Sequence, residues 1–136
     1  MLIEPPGDVN KLSRLVIDAA IEVHRSLGPG YVESIYEEAL AIELTNRGIP
    51  FQRQESIAIY YKGHRLGEGR LDIFVARKII VELKAVEVIL PVHKAQVISY
   101  LKATNCSLGI LINFNVPLLK DGIKRIVRNR NMDNKE

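Results

Sequence analysis

The chain has 136 residues, of which 47% are hydrophobic and 26% charged, and its 19 Lys and Arg against 16 Asp and Glu give a formal charge of +3. A length close to that of one ordinary domain, with this many apolar side chains, argues against disorder and predicts a packed core that needs no staples. The single cysteine, Cys106, excludes an intramolecular disulfide and a Cys-rich zinc site, and it fits a reducing cytoplasm.

From Val9 to Leu27 the apolar positions Leu12, Leu15, Val16, Ala19, Ala20, Val23 and Leu27 recur every three or four residues, which predicts a first helix. Gly28-Pro29-Gly30 breaks it. A second helix is expected over Val32 to Asn46, with Ile35, Tyr36, Ala39, Leu40 and Leu44 on its buried side and Asn46-Arg47-Gly48 as its stop. The period then changes to two. Ser56 to Tyr61 reads as a strand closed by Lys62-Gly63, with further strands over Gly69 to Val75 and Ile79 to Lys84 forming an antiparallel three-strand meander. Pro91 opens a helix to about Thr104, and Leu108 to Phe114 is a continuous apolar run of the kind found in a buried strand. Val116 to Arg128 suits a helix except for Gly122, so its form stays open. The order predicts an α+β fold with a mixed sheet, one domain over residues 1–128 and a polar, frayed tail over 129–136.

The segment from Arg70 to Lys84 carries the chemistry. If Ala76-Arg77-Lys78 forms the turn, Val75 pairs with Ile79 and Asp72 falls opposite Glu82. Leu71, Ile73, Val75, Ile79, Val81 and Leu83 then make one apolar face, leaving Asp72, Phe74, Ile80, Glu82 and Lys84 on the other. A two-residue turn would separate the two acids. Opposed carboxylates, with Cβ atoms about 4.5–5.5 Å apart, repel unless something positive lies between them. A divalent cation does this, and an oxygen donor set with open water positions suits Mg²⁺ or Mn²⁺. Lys84 on the same face can hold an attacking water or stabilise charge on a phosphoryl oxygen. The other reading of these residues is a solvated strand face with a cross-strand salt bridge.

Asp72, followed by Glu82-Leu83-Lys84 on the next strand, resembles the active-site motif of the PD-(D/E)XK nuclease superfamily. Gly30-Tyr31-Val32-Glu33-Ser34-Ile35-Tyr36 is similar to the signature of its small GxxExxY family, and His93 to Leu101 followed by Gly109 to Phe114 resembles the same family. The resemblance runs from about Val9 to Val127 and implies a restriction-endonuclease-like, α/β/α-like core. It implies that Asp72 and Glu82 bind the metal, that Lys84 assists the water, and that Glu33 is a further ligand or water partner. Leu71 stands where the superfamily motif has Pro. Spacing places Glu33, Tyr36, Glu37 and Leu40 on one helical stripe, so Glu33 can look inward. Its other reading is complementarity to the helix dipole. Gly30 and Tyr36 are the family-motif positions, and Tyr36 is more often a core residue than a catalyst. His93, Gln96 and Tyr100 share a face of the later helix. The resemblance places Gln96 near the water or a phosphate and Tyr100 beside it. The alternative is a buried Tyr100 whose hydroxyl meets Gln96. Cys106 reads as a small core residue, and His24 and His64 have no evident partner.

Lys120, Lys124, Arg125, Arg128 and Arg130 crowd a closing segment with Asp121 as its acid, while Glu33, Glu37, Glu38 and Glu43 crowd the second helix. The basic end can track phosphates, so Lys124, Arg125 and Arg128, with Tyr100, are candidate nucleic-acid contacts. These features point to a Mg²⁺-dependent (or Mn²⁺-dependent) nuclease acting on nucleic acid, DNA in preference to RNA. The alternative is a catalytically silent nucleic-acid or protein binding module that keeps the nuclease fold. A homodimer or a partner protein would serve substrate choice, since two sites face two strands. The opening MLIEPP lacks a signal-peptide pattern and the apolar runs are short, so a cytoplasmic protein off the membrane is expected.

Overall fold

The computed structural model describes residues 7–129. The predicted tail from residue 130 onward, with Arg130, lies outside the described residues. Helix α1 (Gly7–Leu27) and helix α2 (Glu33–Asn46) precede the strands β1 (Phe51–Tyr61), β2 (His64–Val75) and β3 (Ile79–Lys84). Helix α3 (Pro91–Thr104) then crosses to β4 (Leu108–Asn113), and a 3₁₀ turn at Leu119–Gly122 leads into β5 (Ile123–Val127). The sheet has five strands in the order β1-β2-β3-β4-β5, antiparallel except for the parallel β3–β4 pair that α3 connects. This is the expected α+β fold with a mixed sheet. The closing segment left open by its pattern is the 3₁₀ turn and an antiparallel edge strand, because pairing with β4 uses backbone groups that periodicity does not report.

Two cores lie on the two sides of the sheet. Val16, Ala20, Val23, Tyr36, Leu40 and Leu44 of the first two helices pack with Ile73, Val75, Ile79, Val81 and Leu83. Val97 and Leu101 of α3 pack with Leu71, Phe74, Ile80 and Leu111. Leu71 therefore does not continue the apolar face of Ile73 and Val75. The β1 register runs from Arg53–Ile73 to Glu55–Leu71, and Gln54 between them has φ +52°, so the regular alternation breaks beside Asp72. Two expected core positions also lie outside: Leu15 is 50% exposed and Ile35 is 43% exposed. Each continues a helical apolar stripe at an edge that no neighbouring element covers.

Gly109 sets how closely α3 approaches the sheet, since a Cβ there would lie 2.4 Å from Val97 Cγ1. Gly109→Ala should destabilise the fold by about 1–3 kcal/mol through overpacking, read as a lower urea midpoint.

Candidate active site

The hairpin turn takes the expected three-residue form. Lys78 N–H donates to the Val75 carbonyl at 2.9 Å, and the ladder pairs Val75–Ile79, Phe74–Ile80 and Ile73–Val81. Asp72 and Glu82 come next, where the backbone ladder gives way to side chains. Leu83 N–H donates to Asp72 Oδ2 at 2.9 Å, and Asp72 N–H donates to Glu82 Oε1 at 3.3 Å. The two acids thus meet as the turn predicts, each carboxylate holding a backbone donor of the opposite strand. Glu82 is 3% exposed, whereas Asp72 and Lys84 are half-buried.

Burial, then the negative charge of Asp72, then a carboxyl-carboxyl hydrogen bond to Asp72 push the Glu82 carboxyl up to about 9 from its ordinary 4.5. The Asp72 N–H and the Lys84 charge oppose this shift. Without a cation, Glu82 holds a proton at neutral pH. The solvated salt-bridge reading therefore fails, because the acid beside Lys84 is buried against another acid.

A two-carboxylate oxygen set that otherwise needs a proton between its members fits a hard divalent cation that keeps several waters. Among the described residues no group of three or more His, Cys, Asp and Glu could hold a metal. Glu33 belongs to no such group. It lies exposed in the first turn of α2, because the inward position of its stripe is filled by Tyr36 and Leu40.

Tyr36 is a core residue with a fixed hydroxyl. It donates to the Gly28 carbonyl at 2.6 Å and accepts from Tyr31 N–H at 3.2 Å, while its ring stacks on Phe114 at 4.4 Å. The motif tyrosine thereby pins the turn containing Gly30 onto the end of β4. His24 finds the partner its sequence position did not reveal, with Nε2 2.8 Å from the Val116 carbonyl oxygen.

The α3 residues border the hairpin. Gln96 Nε2 donates to the Tyr100 hydroxyl at 3.3 Å, and the Tyr100 ring lies over Gly69, where a Cβ would be 2.7 Å from Cε1. The alternative pairing of Tyr100 with Gln96 is thus present, with Tyr100 half-buried and Gln96 exposed. Among the described residues Gln96 makes no hydrogen bond to Asp72, Glu82 or Lys84. His93 serves the helix start, its Nδ1 accepting from Leu90 N–H at 3.0 Å.

The basic closing segment divides between the two sides of its strand. Arg125 donates to Asn10 Oδ1 of α1 at 2.7 Å, and Arg128 to Asn105 Oδ1 at the end of α3 at 3.1 Å. Register puts Arg128 opposite Ser107, at the end of the sheet away from Lys84. Lys120 and Lys124 are exposed. The acidic run on α2 is no bare field either: Arg53 holds Glu37 and Glu38, and Arg47 holds Glu43.

Asn113 is a supporting residue hidden within the apolar run. It is 3% exposed and pairs with Lys84 in the β3–β4 register. Its Oδ1 accepts from Val86 N–H and Asn115 N–H, both at 3.1 Å, and its Nδ2 donates to the Val86 carbonyl at 2.8 Å. With Phe114 N–H donating to the Lys84 carbonyl at 2.9 Å, this fixes the backbone on which Lys84 stands. The signal was a polar residue ending an otherwise apolar strand. Asn113→Ala strands these buried groups and should cost about 1–3 kcal/mol of unfolding free energy, measured by urea denaturation.

No helix among the described residues is long and apolar enough to cross a membrane. No curated protein and no solved structure shows significant similarity to the chain. A family model, that of the PD-(D/E)XK nuclease superfamily, matches residues 10–126. That span covers both layers around the sheet and includes Lys84 and the Asp72 and Glu82 carboxylates that meet across the hairpin, and the chain belongs to the PD-(D/E)XK nuclease superfamily.

Proposed function

We propose that this chain is a Mg²⁺-dependent or Mn²⁺-dependent nuclease of the GxxExxY kind that hydrolyses phosphodiester bonds of DNA. The observation that carries the reading is Glu82, a buried acid placed against Asp72 with Lys84 beside it. Asp72 and Glu82 hold the cation through carboxylate oxygens, and the Leu83 and Asp72 N–H groups orient those carboxylates. A divalent cation bound there supplies Lewis-acid polarisation of the scissile phosphate and eases ionisation of a water. Lys84 donates to the attacking oxygen and to the phosphoryl oxygen on which charge develops. Gln96 and Tyr100, at the border of the hairpin, contact the phosphate backbone.

The test is incubation of the purified chain with plasmid, linear and single-stranded DNA and with RNA, each with Mg²⁺, Mn²⁺ or chelator. DNA cleavage that requires the cation and disappears in Asp72→Ala is expected. Cleavage of neither polymer, or equal cleavage by Asp72→Ala, overturns the nuclease reading. Salt-sensitive binding without cleavage, unchanged in Glu82→Ala, would instead assign the silent binding module.

A further inference from the structure

We propose that the outer end of the β1–β2 hairpin, from Tyr60 to Leu66, is a ribbon that enters the major groove of duplex DNA. The proposal rests on the nuclease reading and deepens it by naming the surface that grips the substrate. The hairpin continues beyond the sheet body as two strands, and residues 60–68 are all exposed. At its end Tyr60 and Tyr61 are 62% and 59% exposed, and Leu66 is 65% exposed. Folding alone gives no reason for three large side chains in water at one tip.

Their neighbours identify the partner. Residues 60–66 read Tyr-Tyr-Lys-Gly-His-Arg-Leu, with two permanent cations and no acid. Lys62 Nζ lies 5.4 Å from the centre of the Tyr61 ring, and the register sets Tyr60 opposite Arg65 and Tyr61 opposite His64. Tyr60 therefore faces a cation across the ribbon, and Tyr61 has one beside its ring. Arg65 pairs with Glu68 at 3.3 Å, but both side chains are about half exposed, so that pair is weak and yields to a phosphate. A self-association surface would bury Lys62, a residue type depleted from interface cores.

Geometry fits the same partner. Paired strands lie about 4.7–4.9 Å apart, and the roughly 12 Å major groove of B-DNA admits a two-stranded ribbon. The deep, narrow major groove of duplex RNA does not. Strand β2 runs from His64 to Asp72 with a bulge at Leu66, where the register steps from Ile59–Gly67 to Tyr60–Arg65, so its reach is at most roughly 26 Å at about 3.3 Å per residue. That distance is within one turn of B-DNA, so a ribbon seated in the groove leaves a backbone phosphate of the same duplex at the carboxylates.

Binding of the full chain to a short fluorescein-labelled DNA duplex, measured by anisotropy in EDTA over a salt series, tests the proposal apart from cleavage. Lys62→Ala with Arg65→Ala should weaken binding at least tenfold and make the salt slope shallower by about two. Tyr60→Ala with Tyr61→Ala should weaken binding while leaving the slope intact. Lys11→Ala with Arg14→Ala removes the same charge from α1 and should change neither. Unfolding midpoints equal to that of the parent chain show that the exposed substitutions leave the fold whole.

The proposal is overturned by a parent chain that binds no duplex, by ribbon variants that bind as it does, or by an equal loss in the α1 variant. It is also overturned by equal affinity for an RNA duplex, or by sedimentation showing that the tyrosine variant loses self-association with DNA affinity unchanged. The nuclease reading is judged separately by cleavage with Mg²⁺. Cleavage with ribbon-independent binding removes the ribbon alone, and ribbon-dependent binding without cleavage removes the nuclease alone.

Discussion

Replacing Glu82 with Gln is expected to lower metal-dependent cleavage by about 10³-fold or more while making the metal-free protein more stable above neutral pH. The first effect follows from charge. An amide keeps an oxygen to accept the Asp72 N–H but cannot neutralise a divalent cation, and metal stabilisation of the transition state is worth several kcal/mol. The second follows from burial. Glu82 is 3% exposed, and ionising it beside Asp72 opposes both desolvation and like charge, whereas a Gln of the same shape never ionises and can donate its NH₂ to the Asp72 carboxylate. Opposite signs for activity and stability set this variant apart from one that merely damages the fold. Cleavage rates with Mg²⁺, and thermal midpoints in chelator at pH 8 to 9, check the pair. Undiminished cleavage, or a lower alkaline midpoint than the parent chain, would contradict it.

The site is more legible in the sequence than its surroundings because its geometry follows from local rules. The residues between Val75 and Ile79 set the turn, the turn sets the register, and the register brings Asp72 to Glu82. Nothing in that chain of steps requires knowledge of another element. Glu33 stands exposed for the opposite reason: whether a helical stripe looks inward depends on what packs against it, and Tyr36 and Leu40 take the inward place. Leu71 fails because the alternation breaks where Gln54 adopts a positive φ, which no glycine marks. Arg125 and Arg128 form one basic cluster along the chain and divide in space, since neighbours three apart on a strand point to opposite sides. The closing strand is illegible for a related reason. It is half covered at the sheet edge, and its identity comes from pairing with β4. Asn113 reads as one more member of a buried strand until its partners at Val86 and Asn115 are seen.

The metal-free protein should lose stability steadily as pH rises from about 5 to 9, and a divalent cation should reverse that loss. Glu82 has a folded-state pKa of about 9 against an ordinary 4.5, so between these values the folded chain binds more protons than the unfolded one. Its contribution is fully present below about 4.5 and disappears as pH climbs through 9. At about 1.4 kcal/mol per pKa unit the difference is on the order of several kcal/mol. Two exposed acids act elsewhere: Lys78 holds Asp8 low and Arg53 holds Glu38 low. A lowered carboxylate contributes above its unfolded pKa and loses that contribution as pH falls, so both act in the acid range, below the window in which Glu82 exchanges its proton. A cation competes with the Glu82 proton, so Mg²⁺ or Mn²⁺ should raise the thermal midpoint far more at pH 8.5 than at pH 5.5. Scanning calorimetry of the parent chain and Glu82→Gln, with and without cation, reads each effect. The variant should show a nearly flat midpoint over the window and little response to metal. A flat curve in the parent chain, or an equal metal response at both pH values, would show that the buried carboxyl does not exchange a proton for a cation.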